Sequence, residues 1–80
     1  MLAHLKNRKK TVGLKQSLKA LQSGEVETVV IARDADEKII EEVSVVCDKN
    51  GIKVAYVDEM KKLGKACNID VGASVVCILK

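Results

Sequence analysis

Thr28-Val29-Val30-Ile31-Ala32 is an unbroken run in which four of five residues are β-branched. A strand with one wet face would alternate polar and apolar side chains. A continuous run implies burial on both faces, as in a sheet covered by helices on each side. Ala73 to Leu79 is again nearly all apolar, and Ile52 to Val57 is a further strand. Between these runs the period changes to that of a helix. Ile39, Ile40, Val43, Val46 and Cys47 fall on one face, while Glu37, Glu41, Glu42 and Asp48 keep largely to the others. Strands that alternate with helices give an α/β domain with helices on both faces of a small sheet.

The punctuation fits this alternation. Leu14, Leu18 and Leu21 start a helix that ends at Ser23-Gly24. Asp34 is expected to cap the second helix, with Glu37 three residues on completing a capping box. Asn50-Gly51 stops that helix. Asp58 is expected to cap a short third helix with Met60 and Leu63 inward, broken at Gly64 and followed by a turn over residues 65–68. Residues 1–8 are expected to form a frayed or helical arm, and residues 9–12 a short edge strand. At 80 residues the chain makes one domain, residues 1–80, with room for one core. With no proline and a single aromatic, Tyr56, that core is aliphatic. Tyr56, inside a strand, is expected to be buried or half-buried.

Charge divides the chain into three parts. Residues 1–24 carry six cations and no acid, residues 25–60 four cations against ten acids, and residues 61–80 four cations against one acid. If the two basic ends meet in space, they form one positive surface suited to a polyanion. No apolar run approaches the ~20 residues of a membrane span. The N-terminus carries its cations after a short apolar patch, the reverse of a signal peptide. The chain therefore reads as cytoplasmic, with no membrane partner.

Catalytic and metal motifs are lacking. There is no G-x-G-x-x-G, no P-loop and no His-x-Glu or His-Glu-x-x-His pattern. Cys47, Cys67 and Cys77 are odd in number and form no C-x-x-C pair, so each reads as a small buried hydrophobe. His4 is the one histidine, leaving Ser17 and Ser74 without a base. No enzyme, metal or cofactor is expected. With one aromatic, single-strand stacking is also a poor fit. A nucleic-acid partner would be read by cations and amides, which favours folded RNA or a duplex.

The acid-free N-terminal third holds Gly13-Leu14-Lys15-Gln16-Ser17-Leu18-Lys19. Glycine at a helix entrance lets another backbone approach, and the first turn offers free N–H groups to an anion. Lys15 and Lys19, four apart, share an exposed face, with Gln16 beside them.

Three segments resemble the kink-turn-binding ribosomal proteins of the large-subunit seven-Ae and thirty-e family, above all its short bacterial members. They are G-L-K-Q-S-L-K at 13–19, V-V-I-A-R-D-A-D at 29–36 and K-K-L-G-K-A-C-N-I-D-V-G-A at 61–73. The resemblance implies a three-layer α/β/α sandwich with a small mixed four-stranded sheet. It implies an RNA-binding surface in two parts. Gly13, Lys15, Gln16, Ser17 and Lys19 match the helix that enters the widened groove at tandem sheared G·A pairs. Ile69, Asp70, Val71, Gly72 and Ala73 match the loop over a flipped-out nucleotide.

The chemistry of these residues agrees. Lys19 can reach a phosphate or a guanine edge, and Gln16 can donate to or accept from a base. Ile69 and Val71 would give an extruded base an apolar contact. Arg33, at the C-terminal end of a strand, is expected to be a further phosphate contact, with Lys61, Lys62 and Lys65 extending the positive surface. Leu14-Lys15-Gln16 stands where archaeal and eukaryotic members commonly carry Thr-Asn-Glu. The expected protein is thus a ribosomal-type RNA binder, monomeric when free, whose partner is a kink-turn in ribosomal or regulatory RNA. The alternative is a protein-interaction module of the same fold that works through its acidic 25–48 face.

Overall fold

The computed structural model describes residues 8–80. The arm expected over residues 1–8 lies outside them, except for Arg8. In chain order the elements are β1 (Lys10–Val12), α1 (Leu14–Ser23), β2 (Val26–Ala32), α2 (Glu37–Asn50), β3 (Lys53–Val57), α3 (Met60–Ala66) and β4 (Val75–Leu79). The four strands form one mixed sheet in the order β1-β4-β2-β3. β2 and β3 run parallel, joined by α2. β4 runs antiparallel to both β2 and β1.

The doubly apolar runs occupy the centre of the sheet, where both faces are covered. Val29, Ile31, Val75 and Cys77 pack with Leu21 of α1 and with Val43 and Cys47 of α2. Val30, Ala32, Val76 and Ile78 point the other way, onto Leu63 and Cys67 of α3. Side chains that alternate along β2 and β4 therefore feed two aliphatic cores, one on each face. This is a three-layer sandwich with α1 and α2 on one side and α3 on the other.

Gly24 and Gly51 end α1 and α2 in the left-handed conformation, at φ +76° and +62°. All three cysteines are buried and unpaired. Burial, with smaller contributions from Cys77 and Asp48, pushes the Cys47 thiol up to about 11. Burial also raises Cys67 and Cys77.

Four local expectations need correction. Asp36, not Asp34, caps α2, accepting from the Lys38 N–H at 2.8 Å. Asp34 instead accepts from the Met60 N–H at 2.7 Å, so it holds the start of α3. That is the position expected for Asp58; the residue before α3 is Glu59, and it makes no side-chain cap. β2 and β3 end side by side, which brings Asp34 within reach of α3 across the sheet. Gly64 does not break α3, which runs through it to Ala66. Tyr56 is 45% exposed, because β3 is an edge strand.

Candidate nucleic-acid interface

Four backbone hydrogen bonds gather the separate motifs at one end of the sheet. Gly13 N donates to Val75 O at 2.9 Å, which ties the entrance of α1 to the start of β4. Ala32 N donates to Ser74 O at 2.9 Å, and Arg33 N to Val57 O at 2.7 Å. Ala73 N donates to Met60 O at 3.0 Å, which ties the loop before β4 to the first turn of α3. The α1 entrance, the exit of β2 and the 69–73 loop therefore share one edge of the molecule, although up to 60 residues of chain separate them.

The α1 half is open and positive. Gly13 has φ +94° and ψ 162°, a conformation that L side chains rarely adopt. A Cβ built there would meet nothing within 4 Å, so the space above the glycine is free. α1 has no side-chain cap and no acid in its first turn. Ser17 N closes the first helical bond, to Gly13 O. The N–H groups of Leu14, Lys15 and Gln16 have no partner among the described residues. Lys15, Gln16 and Lys19 are exposed. Ser17, by contrast, is fully buried over the sheet, so it serves the core and not this surface.

The second half is a clamped loop. Asn68, at φ +62°, ends α3, and Ile69 N returns to Gly64 O at 3.1 Å. This closure turns the chain back along its own helix. Val71 then lies directly over Gly64. A Cβ on Gly64 would overlap the Val71 carbonyl oxygen and stand 3.0 Å from its carbon. Gly72 lies close to Met60, though less tightly: a Cβ there would meet the Met60 Cβ at 3.1 Å. Two glycines thus seat the loop on α3. The loop holds Val71 70% exposed, the most exposed large hydrophobic residue among those described. Ile69 is half-buried, while Asp70 and Gly72 are exposed. Ala73 is buried in the core beside α3, and its N–H anchors the loop.

Arg33 is exposed at the end of β2, its guanidinium 4.8 Å from the centre of the Tyr56 ring. Lys62 is exposed on α3 and lies 3.7 Å from Glu59, which partly offsets its charge. Arg8 pairs with Glu27 at 3.0 Å, away from this edge. Sequence reasoning missed three contributors: Asp34 as the anchor of α3, Gly64 as the seat of the loop, and Tyr56 beneath Arg33. The L-G-x-A-C-x-I-x-V pattern held the signal for Gly64, since glycine inside a helix implies a close neighbour. Among the described residues no group of three or more His, Cys, Asp or Glu could hold a metal ion. None of their helices is long and apolar enough to cross a membrane.

The model of the ribosomal protein L7Ae/L30e/S12e/Gadd45 family matches residues 2–80. The chain belongs to this family. An RNA-binding protein of Halalkalibacterium halodurans is 51% identical over 69 residues, spanning 86% of this chain and 84% of that one. The RNA-binding protein YbxF of Geobacillus stearothermophilus is 49% identical over the same shares. Among solved structures, the 15.5kD RNA binding protein of Giardia lamblia superposes with a TM-score of 0.89 at 29% identity. That match covers 99% of this chain and 70% of the other. Each of these relatives is named as an RNA-binding protein.

Proposed function

We propose that this chain is an RNA-binding protein that recognises kink-turns in ribosomal or other structured RNA. It stabilises the bent form by binding it selectively and performs no chemistry. The observation that carries this reading is the convergence of an uncapped, acid-free helix entrance and an exposed apolar loop on one edge of the sheet. The two halves are chemically complementary. Free N–H groups with Lys15 and Lys19 suit phosphates and guanine edges, and Gln16 suits a base edge. Val71 suits the face of an extruded base. The family membership and the names of the relatives support the choice of RNA.

In this reading α1 enters the groove at the tandem G·A pairs, and the loop covers the flipped-out nucleotide. Ile69 and Val71 make the apolar contact, flanked by Asp70 and Gly72, while Arg33 and Lys62 meet phosphates. The protein acts as a monomer within a cytoplasmic ribonucleoprotein. The test is a pair of titrations, one with a kink-turn RNA and one with the same RNA after its G·A pairs are replaced by Watson–Crick pairs. Selective binding of the first is expected; equal affinity would sink the kink-turn claim. Across a salt series, log K should fall by ~0.7–0.9 for each phosphate contacted.

A further inference from the structure

Tyr56 is the one aromatic residue of the chain and stands 45% exposed on the edge strand β3. Arg33 lies over its ring at 4.8 Å, inside the ~6 Å range of a cation–π contact. Among the described residues the Arg33 guanidinium has no hydrogen-bond or ion-pair partner. The acids near it in sequence are engaged elsewhere. Asp34 accepts from Met60 N and Asp36 from Lys38 N. The guanidinium therefore rests over a ring, and its N–H groups are left without a protein partner among the described residues.

The pair stands on the same edge as the candidate interface. Arg33 N donates to Val57 O, one residue after Tyr56, while the neighbouring Ala32 N donates to Ser74 O beside the α1 entrance. Two strand spacings of ~4.8 Å set β3 about 10 Å from β4, so on an RNA seated at this edge the pair would face a different nucleotide from the one at Gly13.

We propose that Tyr56 is a positioning residue that holds the Arg33 guanidinium against a backbone phosphate of RNA outside the bent segment. The contact surface then runs from α1 to the β3 edge. This inference rests on the RNA reading above. A guanidinium offers a planar fork that matches phosphate oxygens. A free arginine loses much rotamer freedom when it makes that contact, and a ring beneath it removes part of that freedom beforehand.

The experiment titrates a kink-turn RNA with intact stems against wild type, Arg33→Ala, Tyr56→Leu and Tyr56→Phe over a salt series. Arg33→Ala should lower the slope of log K against log salt by ~0.7–0.9, the value of one phosphate. Tyr56→Leu should weaken binding about 2- to 5-fold and lower the slope in the same direction. Tyr56→Phe keeps the ring face and should behave as wild type. Tyr56 is also the one tyrosine of the chain, so its ring protons give a single set of NMR signals. Those signals should shift when RNA binds wild type, a readout that stands even if Tyr56→Leu loses its fold.

Wild-type binding with unmoved ring signals overturns the proposal alone, as does an unchanged affinity in Tyr56→Leu. Equal losses in Tyr56→Phe and Tyr56→Leu would assign the effect to the hydroxyl and also overturn it. Failure of wild type to bind the RNA would overturn the RNA reading and this proposal with it.

Discussion

Gly64→Ala separates the stability of the fold from the shape of the site. Alanine inside a helix is favoured over glycine by ~0.8–1.0 kcal/mol, so on propensity alone the variant should be the more stable protein. The structure predicts otherwise. The new methyl would overlap the Val71 carbonyl oxygen and lie 3.0 Å from the Val71 carbon and 3.2 Å from Gly72 Cα. All three are backbone atoms, so no side chain can rotate away and the loop itself must move. Overpacking of this kind costs ~1–3 kcal/mol. Against the propensity gain, the net loss is about 0–2 kcal/mol. Each kcal/mol corresponds to a Tm drop of ~4–8 °C in a domain this size. The loss of affinity for a kink-turn RNA should be larger, at least ~10-fold, because Val71 leaves its seat. Thermal melts and RNA titration of the same sample measure both quantities. A variant that is stabilised by ~1 kcal/mol and binds as wild type would refute the clamp.

Other outcomes follow from the same geometry. Lys19→Ala should weaken binding by ~1–3 kcal/mol if it contacts a base edge, whereas Gln16→Ala should mainly erase the preference for the kink-turn over its Watson–Crick control. Val71→Asp should abolish loop-dependent affinity while leaving the melting curve within ~0.5 kcal/mol of wild type, since the residue is exposed. Asp34→Ala should destabilise by about 1 kcal/mol through loss of the bond to Met60 N, with exchange protection falling first at α3, and Asp58→Ala should not. The Cys47 thiol is raised by burial to about 11, so its stabilising contribution is complete below the unfolded thiol value and is lost as pH rises through the folded one. The unfolding free energy should therefore decline above pH ~9, by up to ~1.4 kcal/mol per pH unit from this thiol, and Cys47→Ala should reduce that decline, with Cys67 and Cys77 adding to what remains.

The elements were legible where one residue type decides. The apolar runs at 28–32 and 73–79 announce strands covered on both faces, and Gly24 and Gly51 announce helix ends. Lys15, Gln16 and Lys19 are exposed as helical spacing requires, because Leu14, Leu18 and Leu21 claim the inward face. The full strand order was not legible, since the pairing of the runs depends on long-range contacts, although residues 9–12 were legible as an edge. Tyr56 followed from that gap: its exposure depends on β3 lying at the edge. Asp34 and Asp36 both fit a capping rule, and what separates them is a partner at Met60, 26 residues away. Gly64 looked like a helix breaker because propensity is local, whereas its reason for being glycine is the backbone of Val71. Ala73 matched the loop motif, but its side chain is buried in the core beside α3, and its N–H anchors the loop to Met60 O.

The proposed RNA-reading edge joins two segments, Gly13 to Lys19 and Ile69 to Ala73, whose nearest ends are 50 residues apart in sequence. Mapping backbone amide shifts of the intact chain during titration with a kink-turn RNA tests it most directly. The largest shifts should fall at Gly13 to Lys19, at Arg33 and at Ile69 to Gly72, with Gly24, Gly51 and the outer face of α2 around Val45 unmoved. Shifts centred on the acidic surface of α2, with Gly13 to Lys19 silent, would contradict it.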